Sequence, residues 1–555
     1  MSKEKKQSFM GGAAILASAV VVVKLIGAVY KLPLNNILGS VGKTYFDTAY
    51  LIYNFLNIFA TAGLPLAISK LTSQAHAQGR ENEKRKIFRT AIWLFFALGL
   101  TASLLMFFGA GQLAAFEENP MAAQAIRALA PAVFCVCLLA CMRGYTQGQG
   151  NMTPTAVSQV LEALCKVGIG LPLAWYILRL SQSAVQAAAT EEAGRLMEAE
   201  SMANVAAGAI FGVTAGTILS VCFLVFYLLT HRNRTRSPDV PSSGGTILRQ
   251  VLAIGIPITL GNSALGIINL IDTKIVMGRL QSALLLTENE AALLNGQYRM
   301  AMDMPNMVAS FVYPVTMSLI PFAAAAITQR DTIRADRIVS SSFRLIAVLA
   351  IPAGVGLSAL STPIMRLILP SRQEDAIAAG PHLQILGVAL IFICLMILTN
   401  AILQTYGKEK LPIFTVVAGG ITKIVMNYIL VGNPDINIHG APVSTLCCYL
   451  VIVGLNLFFV WKYSMKKPRY LQLFLKPAAA SAAMGGAAWA VYGFVNRGLA
   501  AGHSAYGANA AAVMAGILAG VAVYAVLVIA LRILRAEDVR SIPHGETLVR
   551  LLRLK

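Results

Sequence analysis

The sequence predicts an all-α polytopic membrane protein of about 14 transmembrane helices, arranged as two homologous six-helix bundles in parallel repeat plus two C-terminal helices. Three observations lead there. Hydrophobic residues make up 57% of the 555 and charged residues 13%, with a mean hydropathy of +0.67, whereas a soluble domain carries roughly 25% charge. Apolar runs of the roughly 20 residues needed to cross hydrocarbon recur along the whole chain, with no polar stretch long enough for a separate soluble domain. The second half also repeats landmarks of the first in the same order.

In chain order, the candidate helices start near residues 9, 44, 88, 122, 153, 203, 247, 297, 339, 377, 411, 441, 472 and 505. The first follows the basic MSKEKKQSF. A signal peptide cleaved after Ala17-Ser18-Ala19 would suit that start, but the apolar run continues to Tyr30, too long for a signal core, so an uncleaved span is expected. Six spans bring the chain to residue 230. The basic, Pro/Ser/Gly-rich HRNRTRSPDVPSSGG that follows reads as a linker. The expected parts are therefore a first bundle at 1–230, a cytoplasmic linker at 231–246, a second bundle at 247–465, two further helices at 466–532 and a basic tail at 533–555.

The repeat is read from three offsets. Gln147, Gly150 and Lys166 fall against Gln404, Gly407 and Lys423 at 257 residues; Pro65 and Ser69 against Pro314 and Ser318 at 249; Lys31 against Lys274 at 243. Each match is weak alone, and their common order is the argument. An even number of spans precedes the second half, so both halves share one orientation, and the cleft between parallel repeats is the expected site.

A net charge of +20 invites a nucleic-acid partner, but its distribution excludes one. The basic residues gather in alternate short loops, GRENEKRKIFR, HRNRTR, TQRDTIRADR, YGKEK and KYSMKKPR, and at both termini, while the intervening loops carry FEENP and EEAGRLMEAE. That is the positive-inside pattern, and it places both termini in the cytoplasm. The eight cysteines form no CxxC pair and mostly sit in apolar runs, so they read as small hydrophobes, with no disulfide frame and no metal site. The six histidines are scattered, and HExxH, Walker A and GxSxG are absent, which argues against an enzyme or an ATP-driven pump; no catalytic residue and no cofactor is expected.

GGAAILASAVVVVKLIGAVYKLPLNNILG, TAGLPLAISKLTSQA and RGYTQGQGNMTPTAVSQVLEAL, together with the 6+6+2 plan, resemble the polysaccharide branch of the multidrug/oligosaccharidyl-lipid/polysaccharide (MOP) exporter superfamily. Within it the likeness is to the group of stage V sporulation protein B and the MurJ-type lipid II flippases of Gram-positive bacteria, over residues 8 to 530. The resemblance implies essential cavity-facing basic residues in the first helix, where Lys24 falls, with Tyr30 and Lys31 at the following position.

The residues themselves point the same way. A charge at the bilayer centre costs about 2.5 to 3.5 kcal/mol on insertion scales, so it persists where it meets water, a partner or a substrate. Lys24 and Lys31 are two helical turns apart on one face, with Gly27 opening room beside them; Lys31, near the break expected at Pro33, also has the option of snorkelling. Lys274 is the second half's counterpart of Lys31, and Asn262 and Asn269 form a polar stripe for substrate or for a neighbouring helix. Glu162 one turn before Lys166 predicts a structural ion pair. Gly419 in the matching position leaves Lys423 to face a wet cavity or a partner from another helix. Arg299 and Asp303 are spaced for an ion pair or a gate.

Several lysines in a membrane cleft suit an anionic, lipid-linked oligosaccharide whose diphosphate head crosses while its polyprenyl tail stays in the bilayer. The membrane potential or an ion gradient would supply the energy. The competing readings are a cation- or proton-coupled drug exporter, which should place carboxylates in the cavity, and a non-transporting scaffold partnered with cell-wall synthases. The chain is expected to act as a monomer.

Overall fold

The computed structural model describes residues 9–61, 63–186, 191–231, 237–312, 331–408, 410–464, 467–499 and 504–533. Every regular element among them is helical. Among the described residues, eleven segments are long and apolar enough to cross a membrane; the first of these, Ser18–Ala77, is long enough to do so twice. The all-helical expectation therefore holds, without a count of fourteen being fixed. The chain packs into two compact units, Met1–Gly296 and Gln297–Lys555.

The first unit begins with α1 (Phe9–Thr61), broken at Gly39, whose φ of 62° is open to glycine without strain. The break expected at Pro33 is not there: Pro33 lies inside the helix, where a membrane helix tolerates proline, and the chain bends six residues later. Next come α2 (Leu64–Ala77), α3 (Glu81–Phe108), the short α4 (Ala110–Phe116) and α5 (Ala123–Gly148). Helix α6 (Thr153–Cys165) passes through one π-helical turn, Lys166–Gly170, into α7 (Leu171–Gln186), and α8 (Glu191–Thr230) follows. The middle of this unit is α5, buried along Ile126, Leu129, Val133 and Cys141 and packed on α1, α2, α3 and α8.

Beyond the segment read as a linker, α9 (Gly244–Ser282) packs along α1, α2 and α3, and so does not leave the first unit. Its Gly255 meets Leu64, its Thr259 accepts from the Gly63 amide at 3.2 Å, and its Gly266 meets Phe55. Helix α10 (Glu288–Ala309) contributes its first turns to the same unit. A β-carbon on Gly296 would lie 1.8 Å from the Ser40 carbonyl oxygen, so only glycine fits against the bend in α1. The packing boundary thus falls about fifty residues beyond the linker.

The second unit holds the rest of α10, then α11 (Thr332–Ala359), α12 (Ser361–Ile368), α13 (Gln373–Thr405), α14 (Lys410–Leu430), α15 (Gly440–Tyr463), α16 (Tyr470–Leu499) and α17 (Ala505–Ala530). Its core forms around α13, where Leu390, Cys394, Leu398 and Ile402 meet Phe343 and Ile346 of α11. The two additional C-terminal helices pair with each other and dock on α11 and α12. Tyr524 donates to the Val348 carbonyl at 3.0 Å, and Asn509 to that of Pro363 at 3.1 Å.

Candidate functional site

The polar residues inside the first unit are organised by the lower half of α1 against α5 and α6. Beyond the Gly39 bend, Lys43 is 2% exposed and bonds Asp47 at 2.9 Å, one turn along, where the two charges neutralise each other inside the bundle. On the same helix Phe46, Tyr50 and Tyr53 form an aromatic run with centroids 5.9 and 5.7 Å apart. Facing it, Arg143 of α5 donates through Nε to Ser158 Oγ at 2.9 Å and through its terminal nitrogen to the Glu162 carboxylate. Ser220 of α8 donates to the Ser158 carbonyl at 2.8 Å, tying a third helix to the same point.

Glu162 is thus in an ion pair, but its bonded partner is Arg143 and not the predicted Lys166. A guanidinium from another helix reaches the carboxylate with a charge-assisted bond that the local i,i+4 spacing does not reveal. Lys166, at the start of the π turn, donates instead to Tyr50 Oη at 3.4 Å, with its nitrogen 5.6 Å from the Tyr50 ring centroid. Arg143 escaped the sequence reading because its partner lies 19 residues away. Lys43 and Asp47 carry a signal visible in the sequence, the i,i+4 spacing.

The other expected site residues are distributed as follows. Lys24 is exposed and Lys31 half-buried on α1, with open space beside Gly27. Tyr30, on the same helix, is 6% exposed, and its hydroxyl finds no hydrogen-bond partner among the described residues. Lys274 of α9 lies over the Phe116 ring, 3.8 Å from its centroid. Asn269 is exposed on α9 and its carbonyl accepts from Thr273, and the side chain of Asn262 lies outside the described residues. In the second unit Arg299 is half-buried and Asp303 buried one turn apart on α10, while Lys423 is half-buried on α14.

Two sets of bonds fasten α9 and α10 to the rest of the first unit. At the α4 end, Gln281 donates to the Glu118 carbonyl at 2.6 Å, the Met121 amide to Glu288 at 2.8 Å, Tyr45 to Asn289 at 2.9 Å and Thr44 to the Ala292 carbonyl at 2.7 Å. At the α2–α3 end, the Asp239 carboxylate accepts from the Asn82 and Glu83 amides at 3.1 and 2.8 Å, where the first turn of α3 presents unsatisfied N–H groups. Desolvation acts to raise the Asp239 carboxyl, but hydrogen bonds from Ser237 and from those two amides outweigh it and hold the group below its ordinary range.

Membrane-length helices, with charged side chains bonded to one another inside a helical unit, define a multi-pass membrane protein. The family described as polysaccharide biosynthesis protein matches residues 9–327, and the chain belongs to it. The MatE family matches residues 297–429. Among curated proteins of Bacillus subtilis, the chain is 25% identical over 557 residues to the uncharacterized membrane protein YabM, spanning 99% of this chain and 97% of that one. It is 25% identical to the lipid II flippase MurJ over 76% of this chain and 77% of that one. It is 22% identical to stage V sporulation protein B over 97% and 98%. Among solved structures, the inward closed conformation of a lipid II flippase MurJ superposes with a TM-score of 0.63 at 14% identity, covering 94% of this chain and all of that one. The chain is therefore a flippase or transporter of the MOP superfamily in a bacterial membrane, as its motifs suggested, and not an enzyme.

Proposed function

We propose that the protein exports a polyprenyl-diphosphate-linked sugar precursor, lipid II or a related cell-wall or polysaccharide intermediate, across the cytoplasmic membrane by alternating access. One observation carries this reading. Glu162 and Asp47, carboxylates that a cation-coupled exporter would need to hold its cargo, are each bonded to a cation of the same unit, Arg143 and Lys43. Lys24, Lys31, Lys274 and Lys423 then serve as point-charge ligands for the diphosphate, and Tyr30, Asn262 and Asn269 as hydrogen-bonding groups for the head. With both termini in the cytoplasm, as the loop charges favour, a negative interior drives an anionic head outward by about 2.3 kcal/mol per charge per 100 mV. No further cofactor enters this scheme.

The MatE match over residues 297–429 favours drug export as the second reading. Both readings are tested in cells depleted of their lipid II flippase, by following the outward appearance of labelled lipid II, with other lipid-linked sugars as controls. Rescue by the wild-type chain and by Lys24→Arg, with loss in Lys24→Met at equal membrane-inserted protein, is the expected result. Failure to move any lipid-linked sugar while a cationic dye is expelled would overturn the proposal in favour of the second reading.

A further inference from the structure

The end of the second unit where α13 gives way to α14 and α15 stops carries cations that the packing does not need. Gly407, at a φ of 68°, closes α13, and the Lys408 amide donates to the Leu403 carbonyl at 3.0 Å. The Lys408 ammonium then lies 4.8 Å from the Tyr463 ring centroid, and that of Lys462 lies 5.5 Å from the same centroid. Lys467 holds its nitrogen 4.0 Å from the Trp461 ring centroid. All three lysines are exposed, as are Lys410 and Arg469, each two residues further on. Among the described residues no carboxylate lies within salt-bridge distance of Lys408, Lys462 or Lys467. A ring face attracts an ammonium, but two that share one ring repel each other, and the ring brings no net charge to offset that. The first unit builds the matching corner without charge. At the 257-residue offset Gly150, at a φ of 79°, and Asn151 stand where Gly407 and Lys408 do. Tyr227 follows Ser220 of α8 at the same spacing as Tyr463 follows Asn456 of α15, and Val225 and Phe226 take the places of Trp461 and Lys462. There Asn151 donates to the Tyr227 hydroxyl at 2.8 Å. The fold thus closes this corner with neutral groups, so Lys408 and Lys462 answer to something outside it.

We infer that Lys408, Lys462 and Lys467, arranged on Tyr463 and Trp461, form a site for the phosphate head of an anionic phospholipid. Trp461 is 40% exposed near the end of a membrane-length helix, where indole and phenol rings sit among lipid head groups. The loop charges favour a cytoplasmic position for this end, so the lipid belongs to the inner leaflet, whose negative surface attracts such lysines. A phosphodiester offers negatively charged acceptor oxygens and no donor, so it bonds two ammonium groups at once and removes their repulsion. A zwitterionic lipid brings its own cation to the same place and gains less. The bound head fastens the turn between α13 and α14 to the end of α15. This site goes beyond the export reading and holds whichever cargo is carried.

The test uses the full chain in lipid nanodiscs, with Trp93→Phe, Trp175→Phe and Trp489→Phe leaving Trp461 as the one indole. Its quenching by brominated phosphatidylglycerol is compared with that by brominated phosphatidylcholine. Each lysine near an anionic surface is worth about a fivefold preference, so Trp461 should favour phosphatidylglycerol by about tenfold or more. The pair Lys408→Gln, Lys462→Gln should bring that preference within about twofold, while Lys408→Arg, Lys462→Arg should keep it. The same charge removed elsewhere, by Lys70→Gln with Arg249→Gln, should leave the preference unchanged; an equal loss there would mean that net charge, and not this site, selects the lipid. Dissolved glycerol phosphate should not displace the lipid, and full displacement would hand the site to a soluble phosphate. Should the protein with a single indole fail to fold, mass spectra of the wild-type chain and the two lysine pairs, released from the same nanodiscs and counted for retained phosphatidylglycerol, carry the same comparison. No preference in the parent protein, or an undiminished one in the Gln pair, overturns the assignment.

Discussion

At an offset of 257 residues, Arg143, Ser158 and Glu162 of the first unit fall against Asn400, Thr415 and Gly419 of the second. Each trio joins two neighbouring helices, α5 and α6 in one unit and α13 and α14 in the other, and a third helix ties into each. In the first unit the bonds are ionic: Arg143 to Ser158 and Glu162, with Ser220 of α8 on the Ser158 carbonyl. In the second unit they are neutral. Asn456 of α15 donates to Thr399 at 3.0 Å and Asn400 at 2.8 Å, and accepts from Thr415 at 2.8 Å. Buried polar groups must be bonded in either case, so packing alone does not choose between the two solutions. The ionic solution leaves Lys166 with Tyr50, while the neutral one is bonded without a charged side chain. The contrast teaches that the two units hold matching corners together by different chemistry, ionic in the first and neutral in the second.

The largest expected effect breaks the ionic corner. Arg143→Met strands a largely buried Glu162 and should cost on the order of 3 kcal/mol, read as a lowered melting temperature in detergent. The double change Arg143→Met, Glu162→Gln should recover most of that loss; an unchanged melt for the single variant would mean that Lys166 can replace Arg143 on the carboxylate. Asn456→Ala should cost less, about 1–2 kcal/mol, because hydrogen bonds between membrane helices average about 0.6 kcal/mol each, and transport per folded molecule should persist. Lys423→Gln should lower the initial export rate at equal folded protein; an unchanged rate would remove Lys423 from the cargo's ligands.

The smallest effect concerns Asp239. Because its carboxyl is held below the ordinary range, the stabilisation it lends is fully present above that range and is lost as pH falls through the lowered value. Proteolysis within residues 237–243 should therefore proceed equally at pH 7 and pH 5, and accelerate only in stronger acid. Asp239→Asn should abolish that acid step, and its persistence would transfer the effect to another carboxylate.

Much of this was legible in the sequence, for a physical reason. Spanning a bilayer imposes a length and an apolarity that each helix must satisfy by itself, so α3, α5, α13 and α17 could be read one at a time. The short bonds between helices could not. Arg143 and Glu162 are 19 residues apart, and Lys166 is drawn to Tyr50 across 116 residues, whereas the i,i+4 spacing advertises only Glu162 with Lys166. The bend was misplaced for a similar reason: proline is the conspicuous breaker, but the chain turns where Gly39 can take a positive φ, opposite the close approach of Gly296. Nor does a linker's composition tell which side of it the next helix will pack on. HRNRTRSPDVPSSGG marks a change of element, and α9 nevertheless stays with α1 to α3.

That last arrangement bears on how the protein is made. The wall of the first unit at the α1 bend is completed by Thr44 on the Ala292 carbonyl and by Gly296 against Ser40, residues synthesised long after α8 ends at Thr230. At about 5–20 residues per second, the ribosome needs several seconds to deliver them. During that interval the buried lysine and tyrosines of α1 sit beside an unfinished wall in the insertion machinery or the lipid.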